Sequence, residues 1–396
     1  DLVTSDNGAD SISIIFNDGD GLFSVVSSLS VGVNPKALTY NDLDKNGHTD
    51  LVVANSGSDD ISILLGLGGG AFNTAINLDM GSYPVAVKSG NLNEDTYPDL
   101  VVLNQESNTF AVMLNLGDGL SFDITNYTLT YNNSGLFLAD FDVDNDLDIA
   151  VTYGDLWGGT SIFVNNGQGE FSSTVVNGYY GYLEAVHDLN GDLLPDLILF
   201  GGIHNDFITI RLNDGNGYYS YDSSYSIEHG IRHILVSDID GNGTADIVVT
   251  NRENSNINVL FGYGDGTFDL PVYYSYGVGS FPESACAVDL DGDGGIDLAT
   301  ANVLSNNVSI LFNLSGPYSC CAGITGNVDG SGDNQIDIAD IVYFIDYSFN
   351  LPPGPEPPCM DEADVNGDYV IDIGDIVYLI DYSFSQPPGP APVDCP

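Results

Sequence analysis

A nine-residue acidic turn recurs six times along this 396-residue chain at nearly constant spacing. The first copy reads Asp42-Leu-Asp44-Lys-Asn46-Gly-His48-Thr-Asp50, and the later copies close at Asp99, Asp148, Asp196, Asp246 and Asp297. Asp1-Leu-Val repeats the end of the pattern 49 residues before Asp50. A period of 48 to 51 residues is too short for a self-sufficient domain, so one supersecondary unit must be stacked many times.

The content of the unit follows from its pattern. An apolar run comes after each turn, as in Leu51-Val-Val53, Leu100-Val-Val102 and Ile247-Val-Val249. A second run alternates, as in Ile61-Ser-Ile-Leu-Leu65, and a Gly-rich turn such as Gly262-Tyr-Gly-Asp-Gly266 leads into an aromatic. Two further runs complete the unit, the last being Ala37-Leu-Thr-Tyr40 or Ala285-Cys-Ala-Val288. Short runs rich in β-branched and aromatic residues, punctuated by Gly, Asn and Asp, are strands in hairpins. Four strands per unit make one propeller blade.

With these repeats, residues 1–316 resemble the FG-GAP or VCBS-type repeats of integrin-like β-propellers. The two runs after the acidic turn occur seven times and the two before it six times, which predicts a mainly-β, seven-bladed propeller, with six blades as the alternative. On this count the chain opens in mid-unit and its last unit is incomplete. The expectation is that residues upstream of Asp1, another segment or another molecule fills the gap.

Positions 1, 3, 5 and 9 of each turn aim oxygen side chains into one loop, and position 7 can add its backbone carbonyl. Oxygen ligands without Cys select Ca²⁺ over zinc or copper. The candidate ligand sets, with the carbonyl donor fourth in each, are Asp42, Asp44, Asn46, His48 and Asp50; Asn91, Asn93, Asp95, Tyr97 and Asp99; and Asp140, Asp142, Asp144, Asp146 and Asp148. The others are Asp188, Asn190, Asp192, Leu194 and Asp196; Asp238, Asp240, Asn242, Thr244 and Asp246; and Asp289, Asp291, Asp293, Gly295 and Asp297. The turn from Asn91 has two carboxylates among these oxygen side chains and should bind most weakly. The competing reading is that some turns are Asx-rich hairpin connections held by local hydrogen bonds.

A second repeat, of period 35, begins beyond a linker at residues 317–326 and occupies residues 327–396. Asp329, Ser331, Asp333, Gln335, Asp337 and Asp340 are matched by Asp364, Asn366, Asp368, Val370, Asp372 and Asp375, each set running into a helical stretch, Ile341-Val-Tyr-Phe-Ile or Ile376-Val-Tyr-Leu-Ile. Oxygen ligands at 1, 3, 5, 9 and 12 of a loop before a helix are EF-hand-like. The tandem resembles a type I dockerin, which implies a small α-helical calcium-folded domain that binds a cohesin-like partner. Ile338-Ala339 and Ile373-Gly374 stand where many dockerins carry a Ser-Thr recognition pair, so partner specificity does not transfer. The resemblance also implies termini that meet, with Cys320 or Cys321 clasping Cys395 and the other reaching Cys359; four cysteines allow three pairings. Cys286, in an apolar strand, is expected to be a buried free thiol.

The chain carries 57 acidic and 6 basic residues, a formal charge of −51, which excludes nucleic acid as a partner. About eight calcium ions, six in the propeller and two beyond it, would neutralise part of that charge. The sequence lacks an initiating Met, a signal peptide and an apolar run of membrane-spanning length, so it reads as a processed, secreted or cell-surface product without membrane insertion. Pro-rich stretches after each helix stop it and act as stiff spacers.

No nucleophile elbow, zinc motif or phosphate loop is present outside the acidic turns. Glu228, His229, Arg232 and His233 are the nearest approach to a catalytic cluster, and a loop leading into the strand Ile234-Leu-Val236 explains them better. Tyrosine is abundant, with clusters at Tyr179-Tyr180-Gly-Tyr182, Tyr218-Tyr219-Ser-Tyr221 and Tyr273-Tyr274-Ser-Tyr276, as at surfaces that meet a partner or a sugar ring. The single Trp157 and six basic residues fit a polysaccharide lyase poorly. The expected function is non-catalytic assembly or adhesion, with copies of the chain joined head to tail in a filament or with a cohesin-like partner. The alternatives are a polysaccharide-binding or polysaccharide-cleaving module recruited through its dockerin, and a structural spacer.

Overall fold

The computed structural model describes residues 1–17, 21, 23–130, 133–154, 159–174, 181–201, 206–215, 219–228, 230–274 and 278–313. The chain divides into two units: Asp1–Gly292 with Asp297–Leu311, and Asp293–Ile296 with Phe312–Pro396. The dockerin-like repeats, Cys320, Cys321, Cys359, Cys395, the Pro-rich stretches, Trp157 and His229 lie outside the described residues.

Every regular element among the described residues is a β-strand. The first sheet has three strands, β1 (Leu2–Asp6), β2 (Ser11–Asn17) and β3 (Phe23–Ser30). The second joins β4 (Pro35–Asn41), β5 (Asp50–Asn55), β6 (Asp60–Leu64) and β9 (Ile76–Asp79), with a small hairpin of β7 (Gly66–Gly68) and β8 (Ala71–Phe72) inserted before β9. The third contains β10 (Pro84–Gly90), β11 (Asp99–Asn104), β12 (Thr109–Asn115) and β13 (Phe122–Thr128). The fourth contains β14 (Asn133–Ala139), β15 (Asp148–Tyr153), β16 (Gly159–Asn165) and β17 (Phe171–Thr174). In the fifth are β18 (Tyr182–His187), β19 (Asp196–Gly201), β20 (Phe207–Asn213) and β21 (Tyr219–Ser226). The sixth is β22 (Ile231–Ser237), β23 (Asp246–Asn251), β24 (Asn256–Leu260) and β25 (Val272–Tyr274). The seventh has β26 (Pro282–Val288), β27 (Asp297–Asn302) and β28 (Asn307–Leu311).

Each sheet is an antiparallel meander, and successive innermost strands β4, β10, β14, β18, β22 and β26 touch, so they surround a central lumen. The first sheet has no described strand inside β1, and the seventh none outside β28. The seven copies of one strand pair and six of the other, expected from the sequence, are therefore found.

The second strand of a blade explains the continuous apolar runs. β5, β11 and β23 are buried along their whole length because neighbouring blades cover both faces. Strands at the outer edge behave oppositely: β13 is almost entirely exposed or half-exposed. Between blades the side chains interdigitate. Ile12 and Ile14 pack with Leu51 and Val53, and Val52 and Ile63 pack with Leu100 and Met113. Phe110 and Val112 meet Ile149 and Phe163, while Ala150 and Ile162 meet Leu197 and Leu199. Ile198 and Ile210 join Ile247 and Leu260, Val248 and Val259 join Leu298, and Leu2 joins Leu290 and Ala299. That last cluster closes the circle between the seventh and first blades, so the ring has seven members and the six-bladed alternative is excluded.

An asparagine at the end of the third strand stitches three of the ring joints. Asn115 Nδ2 donates to the Leu43 carbonyl of the preceding blade at 2.8 Å, and Asn165 does the same to Leu92 at 2.8 Å. Asn17 makes the equivalent bond to Leu290 at 2.6 Å, across the closure. The aromatic after the Gly-rich turn adds a second stitch: Tyr127 Oη accepts from Phe171 N, and Tyr225 Oη from Phe268 N, with both ring pairs edge to face.

Cys286 corrects the sequence expectation of a buried thiol, because it is exposed on β26. Ser284, Cys286 and Val288 share the open face of that strand. The neighbouring first sheet has no described strand inside β1 to cover them.

Candidate metal centres

Each acidic turn links an innermost strand to the buried second strand of the same blade, and its closing aspartate opens that second strand. Asp50, Asp99, Asp148, Asp196, Asp246 and Asp297 are all 0% exposed. One carboxylate oxygen accepts from the backbone N of position 2 (Leu43, Leu92, Phe141, Leu189, Ile239 or Leu290) at 2.7 to 2.9 Å. The other oxygen in five of these accepts from a backbone N after the third strand, as Asp50 from Gly66 and Asp148 from Asn165, at 2.7 to 2.8 Å. These aspartates satisfy backbone donors that burial would otherwise orphan.

Position 5 has a different task. Asn46, Asp95, Asp144, Asp192, Asn242 and Asp293 each accept from the backbone N of position 7 at 2.6 to 3.0 Å, an Asx turn in every copy. The side chains at position 7 rest against the glycine of the turn after the third strand: His48 by Gly68, Tyr97 by Gly117, Leu194 by Gly215 and Thr244 by Gly264. A side chain on Gly117 would run into the Tyr97 ring, and its φ of 102° also favours glycine.

Carboxylates converge in four turns. Asp42, Asp44 and Asp50 can place one oxygen each within 4.8 Å of one another, as can Asp140, Asp142 and Asp148; Asp238, Asp240 and Asp246; and Asp289, Asp291 and Asp297. Oxygens about 2.4 Å from one Ca²⁺ lie no more than about 4.8 Å apart, so each trio can share an ion. The trios use positions 1, 3 and 9; position 5 is not among them. Asn91, Asn93, Asp95 and Asp99 form no such trio, because Asn holds positions 1 and 3. Asp188, Asp192 and Asp196 form none either, because position 3 of that turn is Asn190 and not a carboxylate.

The electrostatics suit a bound cation. Asp42 Oδ1 and Asp238 Oδ1 are buried without a hydrogen-bond partner, each within one of the trios. Burial raises the pKa of Asp50 and Asp246 and pushes Asp99, Asp148 and Asp196 up to about 6, against the opposing pull of their backbone hydrogen bonds. Desolvation and the like charges of Asp144 and Asp140 also raise Asp142. A hard divalent cation would relieve both effects, and these all-oxygen donor sets suit one.

Position 4 reveals a feature that the acidic pattern hides. It is left-handed in all six turns, occupied by Lys45, Glu94, Val143, Gly191, Gly241 and Gly292. Val143 at φ 65° is the strained member, since a β-branched residue there costs on the order of 1–3 kcal/mol. Its side chain is exposed and little packing depends on it. Val143→Gly should therefore raise stability by about 1 kcal/mol in denaturant titration, after the entropy of the added glycine is deducted.

The other candidate residues disperse. Glu228 accepts from Asn254 and Asn256, Arg232 pairs with Glu283, and His233 faces Ala285. Of the tyrosines, Tyr182 stacks on Phe200 and Tyr219 is buried with its hydroxyl on Asn213, whereas Tyr273 and Tyr274 are exposed on β25. No helix among the described residues is long and apolar enough to cross a membrane.

Residues 42–102, 188–249 and 238–300 match the FG-GAP-like repeat family. No curated protein matches the chain. Among solved structures, an Agrocybe aegerita lectin that recognises non-reducing terminal N-acetylglucosamine is 20% identical, with a TM-score of 0.52 over 78% of this chain and 85% of that one. A Lactobacillus plantarum protein is 14% identical, with a TM-score of 0.55 over 78% and 93%. A putative 6-phosphogluconolactonase from Bacteroides uniformis is 13% identical, with a TM-score of 0.55 over 71% and 82%. At such identities the likeness is one of fold. The closed ring of seven sheets is a seven-bladed β-propeller, and its residues 42–102 and 188–300 match FG-GAP-like repeats.

Proposed function

We propose that this chain is a secreted, calcium-binding, non-catalytic assembly or adhesion protein. The observation that carries the reading is the pair of buried, unpartnered carboxylate oxygens, Asp42 Oδ1 and Asp238 Oδ1, inside converging trios of aspartates. Calcium held by Asp42, Asp44 and Asp50, and by the three corresponding trios, locks those four turns between an inner strand and a buried one. The ring then becomes a stiff platform at the calcium levels found outside cells. The C-terminal loop–helix repeats would supply two more calcium sites and the contact to a cohesin-like protein or to a second copy of the chain. A head-to-tail contact that does not close gives a filament.

Light scattering on the full chain, with calcium and after chelation, tests assembly. Growth of polymers with protein concentration in calcium, reversed by chelator, is expected. A monomer in both conditions refutes self-assembly. Glycan binding is the second reading, favoured by the exposed Tyr273 and Tyr274; a glycan array with Tyr273→Ala and Tyr274→Ala as controls decides it.

A further inference from the structure

An asparagine followed by glycine is open to attack by its own backbone, because glycine has no side chain to keep its nitrogen away from the Asn Cγ. Five such pairs lie among the described residues: Asn7-Gly8, Asn46-Gly47, Asn166-Gly167, Asn190-Gly191 and Asn242-Gly243. In four of them the glycine N–H is committed. Gly47 N donates to Asp42 Oδ2 at 3.0 Å, Gly191 N to Asp188 Oδ1 at 2.8 Å and Gly243 N to Asp238 Oδ2 at 2.8 Å, all within acidic turns. Gly167 N donates to Asn165 Oδ1 at 3.2 Å. Gly8 N has no acceptor among the described residues.

The place of Asn7-Gly8 in the ring explains the difference. The pair opens the exposed hairpin loop Asn7-Gly8-Ala9-Asp10 between β1 and β2, in which Ala9 N donates to the Asp6 carbonyl at 2.9 Å. In other blades the second residue of this loop is tied down: Gly57 N donates to the Val33 carbonyl at 2.8 Å, Glu106 N to Ser82 at 3.2 Å and Leu304 N to Ser280 at 3.2 Å. Each acceptor lies just before the innermost strand of its blade, and the first sheet has no described strand inside β1. Gly8 stands where Gly57 does and faces water. The Asn7 side chain is held by one long bond, from Nδ2 to the Pro35 carbonyl at 3.5 Å, and a side chain on Gly8 would meet no atom within 4 Å.

We propose that Asn7 is a site of deamidation through a succinimide, and that the acidic turns guard Asn46, Asn190 and Asn242 against the same reaction. Gly8 N gives up its proton to hydroxide and attacks Asn7 Cγ. The new C–N bond closes the succinimide ring as the Cγ–Nδ2 bond breaks, and the side-chain nitrogen leaves as ammonia. Water then opens the ring at either carbonyl, giving aspartate or isoaspartate with no change of oxidation state. In the acidic turns the carboxylate that accepts the glycine N–H opposes the nitrogen anion that must form. The product at residue 7 is a carboxylate beside Asp6 and Asp10 that has lost the donor to Pro35, so conversion loosens the hold of the first blade on the second.

The test incubates the full calcium-loaded chain in mildly alkaline buffer and follows each Asn-Gly pair by peptide mass spectrometry. Asn7 should convert about tenfold or more faster than Asn46, Asn190 and Asn242, because a charge-assisted hydrogen bond must first be given up in the turns. In strong denaturant the five pairs should converge on similar rates. Gly8→Ala, for which the loop has room, should slow conversion of Asn7 severalfold while leaving the thermal midpoint in place. A folded chain in which Asn7 converts no faster than the three guarded residues overturns the proposal. So does a difference in rate that persists in denaturant, which would trace it to neighbouring sequence alone. The central comparison is made within one unaltered chain, so it decides the question even if the variant fails to fold.

Discussion

Chelating calcium at neutral pH should lower the thermal midpoint of this propeller by roughly 20 °C, because four trios each filled at a hundredfold excess over Kd would contribute about 2.7 kcal/mol apiece. The pH dependence should change sign with it. Asp99, Asp148 and Asp196 titrate near 6 in the folded ring, above the usual aspartate value. A raised pKa means that the folded state holds its protons more tightly than the unfolded chain. Chelated protein should therefore be most stable at about pH 4 or below and lose stability as pH rises from there through about 6, by about 1–3 kcal/mol per buried aspartate. Self-repulsion at a formal charge of −51 acts in the same direction. Bound calcium favours the ionised carboxylates, so the loaded protein should gain stability over that window instead. Calorimetry from pH 4 to 8, with and without chelator, measures both. Coincident curves would mean that the turns are hydrogen-bonded hairpin connections and nothing more.

The repeat period carried the ring into view because a blade has one way to bury its second strand. Leu100-Val-Val102 reads as a continuous apolar run, and it is buried on both faces between two blades. The count of strand pairs favoured seven blades over six, and the bond from Asn17 to Leu290 repeats across the closure what Asn115 and Asn165 do elsewhere. What remained hidden was the division of labour within each turn. An aspartate at position 1 and one at position 9 look alike in sequence. The latter is buried with both oxygens on backbone donors, a consequence of its place at the start of a covered strand. The lack of a trio at Asp188, by contrast, is legible, because Asn190 stands at position 3 where the turn from Asp238 has Asp240.

Replacing Asp148 and Asp142 separately should divide the structural role of an acidic turn from its metal role. Asp148 accepts from Phe141 N at 2.9 Å and Asn165 N at 2.8 Å, and both donors are buried with it. Asp148→Ala orphans two backbone N–H groups at roughly 1–3 kcal/mol each and leaves a small void, so roughly 3 kcal/mol or more of stability should be lost with or without calcium. Asp142 is exposed and is crowded by Asp140 and Asp144. In chelator, Asp142→Ala removes a like charge and should leave stability unchanged or slightly raised. In calcium it removes one of three converging carboxylates and should weaken that site by roughly tenfold or more. Denaturant titrations of both variants, each with calcium and with chelator, give four free energies. If the loss in Asp142→Ala is the same in both solutions, no ion is held by that trio. If Asp148→Ala loses stability only in calcium, the closing aspartate is a metal ligand first and its backbone bonds are secondary.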